Sequence, residues 1–170
     1  ILDAAYEIAR CSGIDSVNAR TVSQRLHCST QPVMYNFATI DELKRAVYQK
    51  ADEEHSRRLL DIRGRYPNPM MEIGMNYVRF AAEEPALFKL LFQTDAFENQ
   101  SFEQLLEAEE LRPVLEHFAA VAGADIGQAK KAFAVRFLLV HGIASMLANN
   151  TMKFDEAYVL SLLKTMPENG

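Results

Sequence analysis

The sequence ARTVSQRLHCSTQPVMYNF, residues 19–37, decides how the rest of this chain is organised. Its apolar residues Ala19, Val22 and Leu26 recur at helical spacing, which places them on one face of a short helix. Asn18, just before them, is of the residue type that caps a helix N-terminus through its side-chain oxygen. The stretch therefore begins with a short amphipathic helix.

A tight turn and a second short helix are expected next. His27 interrupts the apolar pattern, and histidine is among the few residues other than glycine that are enriched in the left-handed conformation. Ser29 is expected to cap the second helix, and Pro32 is tolerated in the first turn of that helix. Val33 and Phe37, four positions apart, are expected to point inward.

The outward face of the second helix then carries Thr30, Gln31, Tyr35 and Asn36. Hydroxyl and amide groups can bond to phosphates or base edges in a DNA groove, and an aromatic ring can lie against a sugar or a thymine methyl. Two short helices and a turn also occur in helical hairpins whose polar face only contacts solvent. Spacing alone leaves both interpretations open.

The flanking sequence favours DNA binding. Residues 1–50 resemble the N-terminal domain of the tetracycline-repressor (TetR) family of bacterial transcriptional regulators. The matching features are ILDAAYEIA at the start, the Gly13-Ile14-Asp15 turn, Val22 to Leu26, Ser29, the run Val33–Phe37 and the segment that follows it to Leu43. The resemblance implies an all-α fold, with a three-helix helix-turn-helix domain at 1–48 and a C-terminal α-helical effector-binding and dimerisation domain at 49–170.

The resemblance also implies which residues hold DNA, namely Arg20, Thr30, Gln31, Tyr35, Asn36 and Lys44. Three positions depart from the family pattern. Met34 stands where Tyr is usual, Asn36 where His or Tyr is usual, and Ile40 where a Lys often meets a phosphate. Lys44, one turn after Ile40, is expected to compensate in part, so we expect fewer phosphate contacts than in a typical member.

The net formal charge of −5 at first argues against a nucleic-acid partner. Its distribution removes the objection. Residues 1–50 hold six basic and five acidic residues, whereas the remainder holds twelve basic and eighteen acidic ones. The negative charge therefore belongs to the C-terminal part of the chain.

We call the two short helices and their turn, residues 19–37, the reader. The long helix that follows the reader is predicted to begin at the capping box Thr39-x-x-Glu42. Nothing breaks the pattern before Gly64, so the helix is expected to run to about Arg63. The polar stretch 52–58 is expected to be solvated. Such a helix would connect the DNA-binding domain to the next one as a lever.

An apolar effector pocket is predicted in the C-terminal domain, because most of the seven Met and ten Phe residues fall after residue 69. The predicted lining is Met71, Met75, Tyr77, Phe88, Phe92, Phe118, Phe137 and His141. Asn76 and Arg136 are further polar candidates, since a pocket needs a few polar groups within an apolar wall. An ordinary core is the alternative explanation for most of these residues.

A homodimer is predicted from the last two helices, which begin after the capping residues Asp125 and Asp155. The first of them is apolar around so much of its circumference that more than one side must be covered. In the family resembled here, these helices pair with their copies in a four-helix bundle. The expected interface residues are Leu138, Gly142, Met146, Leu162 and Leu163; packing inside one monomer is the alternative.

Enzymatic activity is the least favoured class. The sequence contains no H-E-x-x-H, no glycine-rich phosphate loop and no G-x-S-x-G. Each of the four histidines is expected to be exposed or to have a hydrogen-bond partner. No catalytic residue, metal site or cofactor is expected.

The cysteines and the hydropathy point to the cytoplasm. Cys11 and Cys28 lack C-x-x-C spacing and lie on apolar faces, so buried free thiols are expected. No run approaches a transmembrane span, and no signal peptide is visible.

The preferred function is a DNA-binding transcriptional regulator, a repressor released by a small-molecule effector. Its expected partners are double-stranded operator DNA, a second copy of the chain and an apolar small molecule, with no membrane. A helical protein-interaction domain with a degenerate helix-turn-helix is the alternative, and a small-molecule-binding enzyme on an all-α scaffold is a third possibility.

Overall fold

A computed structural model describes residues 1–94, 101–109 and 111–165, without the side chains at 114, 117, 118, 121 and 122. Within these residues the fold is all-α, as the sequence predicts. The helices are α1 Leu2–Ser12, α2 Ala19–Arg25, α3 Gln31–Asn36, α4 Ile40–Leu59, α5 Pro69–Glu83, α6 Pro85–Phe92, α7 Phe102–Glu107, α8 Arg112–Ala122, α9 Ile126–Ala148 and α10 Glu156–Lys164. A single 3₁₀ turn, Ile14–Ser16, follows α1.

The helix-turn-helix unit forms from local signals that agree with one another. The Asn18 side chain accepts hydrogen bonds from the backbone N–H groups of Arg20 and Thr21, which caps α2. His27 has a φ of 54°, so the left-handed turn expected after α2 is confirmed. Val22 and Val33 are fully buried, one from each helix, and they fix the two helices against the core.

The start of α3 differs from the expectation. Thr30, and not Ser29, occupies the N-cap position, and no side-chain hydrogen bond caps the helix. A capping oxygen normally accepts from the second or third residue of the helix. Here the second residue is Pro32, which has no N–H, so one of the two usual donors is missing.

Helix α4 is shorter and more deeply packed than predicted. It ends at Leu59 rather than near Arg63. Leu43, Val47 and Ala51 are fully buried. The expectation that 52–58 is solvated is wrong at His55, whose exposed fraction is only 7%. The spacing of four places His55 on the same face of α4 as the three apolar residues.

Two polar side chains of α5 hold the loop that ends α4. The fully buried Glu72 carboxylate accepts hydrogen bonds from the backbone N–H groups of residues 63, 64 and 65 and from Arg65 Nε. Asn76 Nδ2 donates to the carbonyl oxygens of Leu59 and Asp61. These bonds satisfy backbone groups that an extended α4 would have used within the helix, so the chain turns after Leu59.

The C-terminal part is organised around α5, which packs against α4, α6, α9 and α10. Gly74 marks the closest approach, because a Cβ atom placed there would lie 3.5 Å from Val140 and 3.6 Å from Leu163. Asp125 and Asp155 cap α9 and α10, as predicted.

The two cysteines correct another expectation. Cys11 and Cys28 are both exposed free thiols rather than buried ones. Cys11 lies in the last turn of α1, and Cys28 lies in the turn between α2 and α3. One position closes a helix and the other lies between two helices, so neither is in the middle of a packed helical face.

Helix α9 also corrects the expectation that no segment approaches a membrane span. Its length and composition would allow it to cross a bilayer, and only 22% of its most apolar window is buried in the subunit. One such helix among the described residues is weak evidence for a membrane protein, since core helices meet the same criterion.

Glu84, between α5 and α6, joins the N-terminal helices to the C-terminal ones. Its buried carboxylate accepts hydrogen bonds from Arg10 Nε and Arg10 Nη2, both at 2.7 Å, and from Arg58 Nη2 at 3.2 Å. Arg10 lies on α1 and Arg58 on α4. One carboxylate therefore ties three parts of the fold together.

We predict that Glu84→Gln lowers the free energy of unfolding by about 1–3 kcal/mol, because it removes the buried charge that Arg10 and Arg58 share. The matched control is the neighbouring Glu83→Gln, whose side chain is largely exposed and bonds, among the described residues, to Arg58 at 3.3 Å. That change should cost less than about 0.5 kcal/mol. Urea denaturation followed by circular dichroism measures the free energy of unfolding of both variants. Equal losses of this free energy would contradict the stabilising role of the Glu84 ion pairs.

Candidate DNA interface and effector site

The residues predicted to contact DNA lie on one end of the helix-turn-helix unit, and most of them are open to solvent. Arg20, Thr30, Gln31 and Asn36 are exposed, and Tyr35 has an exposed fraction of 89%. An aromatic ring so exposed has no packing role within the subunit. The outer face of α3 therefore offers hydroxyl, amide and aromatic groups to a partner.

Asn36 and Lys44 are less available than the others. Asn36 Nδ2 donates to the Pro32 carbonyl oxygen at 2.8 Å, so one of its two amide N–H groups is engaged within α3. Lys44 is half-buried on the first turns of α4. Nearby, the Glu42 carboxylate accepts a hydrogen bond from the Ala38 N–H at 2.7 Å, which holds this negative group at the N-terminal end of α4.

A cluster of rings lies between α4, α5, α6 and α9 in the C-terminal part. We call it the aromatic cluster; its members are His55, Tyr77, Phe88, Phe92, Phe137 and His141. Neighbouring ring centroids are 4.9–6.1 Å apart and mostly tilted or edge-to-face, the geometry that aromatic pairs prefer. Five of the eight residues predicted for the effector pocket are thus brought together.

The remaining predicted residues lie elsewhere or outside the described side chains. At about 100° per residue, Met75 is turned by about 200° and Met71 by about 240° from Tyr77, so neither shares the face of α5 that carries Tyr77. Asn76 bonds to the loop after α4 and not to the cluster. The side chain of Phe118 lies outside the described residues.

Two polar groups of the cluster are paired with each other. The Tyr77 hydroxyl and His141 Nδ1 are 2.9 Å apart and share a hydrogen bond. Burial raises the pKa of the Tyr77 hydroxyl and lowers the pKa of His141. Both groups are therefore held in their neutral forms at neutral pH.

His55 was missed as a member of this site. Its ring packs edge-to-face on Phe80 and Phe92, with centroids 5.0 and 5.1 Å away. Its Nε2 atom is buried without a hydrogen-bond partner in the described part of the chain, which corrects the expectation for this histidine. Burial lowers the pKa of His55 to about 4. The spacing 43, 47, 51, 55 was the sequence signal for its inward position.

Two surface clefts lie away from the aromatic cluster. A cleft of about 430 Å³ between α1 and α4 is lined mainly by charged side chains that include Arg10, Lys50 and Glu54. A second cleft, of about 390 Å³, lies at the end of α4 and is rich in arginine. Its arginines are engaged in ion pairs, such as Arg65 with Glu72 at 2.8 Å and Arg79 with Glu156 at 2.9 Å.

The predicted dimer residues divide into exposed and buried ones. Leu138, Gly142 and Met146 follow one another at spacings of four on the outer face of α9, where Leu138 is 56% and Met146 48% exposed. A Cβ atom at Gly142 would meet nothing within 4 Å in the subunit. Leu162 is half-buried, whereas Leu163 is only 3% exposed and packs in the subunit core.

Comparison with known proteins adds an independent finding. A family model described as "Tetracyclin repressor-like, C-terminal domain" matches residues 70–163, more than half of the chain. None of the curated protein sequences compared with this chain matches it.

Two solved structures share the fold. The "crystal structure of multidrug binding protein EbrR complexed with proflavin" is 20% identical, with a TM-score of 0.56 over 98% of this chain and 96% of that one. The complex of the same protein with ethidium is 21% identical, with a TM-score of 0.55 over 98% and 95% of the two chains. At this identity the likeness establishes the fold alone.

We predict that His55 makes the protein sensitive to mild acid. The unfolded chain binds a proton at the ordinary pKa of about 6.5, whereas folded His55 resists protonation down to about 4, so stability falls as the pH drops through this window. Between about pH 7.5 and pH 5 the loss is about 2 kcal/mol.

The measurement is urea denaturation of the parent and of His55→Leu at both pH values. The variant should lose about 2 kcal/mol less than the parent over this range, because it has no buried base to protonate. An exposed histidine offers the control: His27→Asn keeps a residue that tolerates the left-handed turn and should show the parent's pH dependence. Identical acid sensitivity in all three proteins would contradict the prediction.

Proposed function

Since this chain belongs to the tetracycline-repressor family of transcriptional regulators, we propose that it binds operator DNA through α2 and α3 and is released by a small-molecule effector. Members of this family are regulators and not enzymes. The proposal therefore concerns which surfaces bind DNA, the second subunit and the effector, and how they are connected.

The observation that carries DNA binding is the solvent-exposed outer face of α3. Thr30, Gln31 and Tyr35 project from a helix whose inner side is anchored by the fully buried Val33. The N-terminal end of such a helix enters the major groove first, where amide side chains can bond to base edges. We propose that Arg20 at the start of α2 and Lys44 in α4 add positive charge for the phosphates, and that Asn36 at the end of α3 contributes its amide group.

Dimerisation is supported by the exposed apolar stripe of α9. Large exposed apolar patches are uncommon on monomeric proteins and mark sites of association. We propose that Leu138, Gly142 and Met146, together with the half-buried Leu162, meet their copies in a symmetric interface. Leu163 then supports the interface from within the core. A two-fold dimer would present its two α3 helices to successive turns of the same DNA face.

Effector binding is supported by the aromatic cluster, in which Tyr77, Phe88, Phe92, Phe137 and His141 surround a small number of polar atoms. The two similar structures named above hold proflavin and ethidium, which are themselves aromatic. We propose an aromatic small-molecule effector for this chain.

We place the division between the two domains near residue 48, within α4. The helix carries Leu43 and Val47 in the first domain and Ala51 and His55 in the second, so an effector that shifts α4 also shifts the reader. A regulator of this kind acts where the chromosome lies, which for a bacterial protein is the cytoplasm.

The central test is a gel shift with the DNA upstream of the protein's own gene. Gln31→Ala should weaken operator binding by about 1–3 kcal/mol and relax the sequence preference, because an amide that reads a base edge is lost. Tyr35→Ala should weaken binding to all sequences alike, since this ring is expected to touch the backbone of the DNA.

Gln49→Ala is the matched control, because it removes an exposed amide from α4, away from the reader. It should bind as the parent does. Should Gln31→Ala and Tyr35→Ala also bind like the parent, α3 is not the reader, and the fold would serve protein interaction instead.

For the dimer, we predict that Leu138→Glu and Met146→Glu each convert the protein to a monomer at micromolar concentration. The two charges of each variant would face one another across a symmetric apolar interface. Leu60→Glu is the control, because Leu60 is an exposed leucine at the end of α4, outside the stripe. Sedimentation equilibrium distinguishes the states, and a monomeric parent protein would end the dimer proposal.

A further inference from the structure

His55 presents a polar atom that the folded subunit does not use. Its exposed fraction is 7%, and its Nε2 has no partner in the described part of the chain. Buried polar atoms in native proteins nearly always have a hydrogen-bond partner, so an orphaned one calls for a specific explanation. A leucine or phenylalanine at this position would fill the same space without an orphaned nitrogen.

The surroundings of His55 are aromatic and uncharged. Its ring lies 5.0 Å from Phe80, 5.1 Å from Phe92 and 5.5 Å from Tyr77, centroid to centroid. The other polar pair of the cluster, Tyr77 with His141, is already joined by a hydrogen bond. His55 Nε2 is a fully buried polar atom of the cluster that has no hydrogen-bond partner among the described residues, and it is therefore available to a ligand.

The charge near His55 disfavours a cationic ligand. None of the six side chains of the aromatic cluster is a carboxylate. A protein cation is already in place at the edge of this region, since the Arg58 guanidinium carbon lies 5.7 Å from the centroid of Phe80, the ring against which His55 packs. Aromatic faces attract cations, but the carboxylates beside Arg58, Glu54 and Glu84, are already paired with arginines. A buried cationic ligand would therefore lose its hydration without gaining a carboxylate of its own.

We propose that the aromatic cluster takes an uncharged planar aromatic molecule that carries a hydroxyl or similar group, and that this group bonds to His55 Nε2. Phe92 and Phe137 are only partly buried. The ring of the ligand takes the place of a protein ring in some of their edge-to-face contacts. A hydroxyl suits either tautomer of a neutral histidine, because it both donates and accepts. This inference rests on the effector role proposed above and adds the chemical class of the effector.

Three bicyclic probes of similar size test the proposed chemical class of the ligand. They are 2-naphthol, naphthalene and the cation N-methylquinolinium. Their dissociation constants are measured with the full chain by equilibrium dialysis. We expect 2-naphthol to bind about tenfold more tightly than naphthalene, which lacks the hydroxyl, and at least about tenfold more tightly than the cation. Equal or tighter binding of N-methylquinolinium would overturn the inference.

Variants at His55 test whether Nε2 is the atom that bonds to the ligand. His55→Phe keeps a ring of similar size without nitrogen and should reduce the preference for 2-naphthol over naphthalene to about one. His55→Gln keeps a polar end group and should retain part of the preference. His27→Asn, a change at an exposed histidine outside the cluster, should leave all three constants unchanged. A preference that persists in His55→Phe would overturn the role of Nε2.

The outcomes also separate this inference from the proposed function. If N-methylquinolinium binds best and releases operator DNA, the effector role stands and the uncharged class is wrong. If none of the probes binds at millimolar concentration, both the cluster as an effector site and the class inferred here are overturned. Circular dichroism confirms that each variant is folded; should His55→Phe fail to fold, His55→Gln and His55→Leu supply the comparison.

Discussion

Helix α4 imposes the constraint on which the rest of the structure depends. Its four inward residues, Leu43, Val47, Ala51 and His55, are spaced by four and lie on one face. The helix packs with α1, α5 and α6, and His55 on this face contacts rings of α5 and α6. Because an unbroken helix keeps its register, the placement of the second half decides where the first half and the reader helices lie.

Two buried carboxylates hold the second half of α4 in place. Glu84 receives Arg58 from α4 and Arg10 from α1, and Glu72 receives the backbone of the loop that follows α4. A buried carboxylate is costly unless its oxygen atoms are well bonded. Here the bonds come from several elements at once, so each carboxylate fixes those elements relative to one another.

Helix α9 separates two apolar surfaces with different uses. Phe137 and His141 face the aromatic cluster, whereas Leu138 and Gly142, each one position later, face outward. One residue corresponds to about 100° of rotation, so the inner and outer stripes cannot exchange roles. This division explains why α9 is apolar on several sides, and it places the proposed effector site and the proposed subunit interface on the same helix.

The sequence by itself determined the helix starts and the turn that depend only on residues close together in the chain. Asn18, Asp125 and Asp155 cap their helices through bonds that span three residues, and His27 turns the chain by its own backbone conformation. These signals, with helical apolar spacing, were sufficient for the all-α fold and for the reader. The resemblance of residues 1–50 supplied the family, and the C-terminal match agrees with it.

Only the tertiary structure decided which side chains are buried and where α4 ends. The polar stretch 52–58 appeared solvated, yet the neighbouring rings from α5 and α6 enclose His55. Glu72 and Asn76, many residues later in the chain, bond to the segment after Leu59, where α4 ends, and both cysteines are exposed. Caps and turns act within about one helical turn of their own residue, whereas burial depends on partners that only the folded chain brings together.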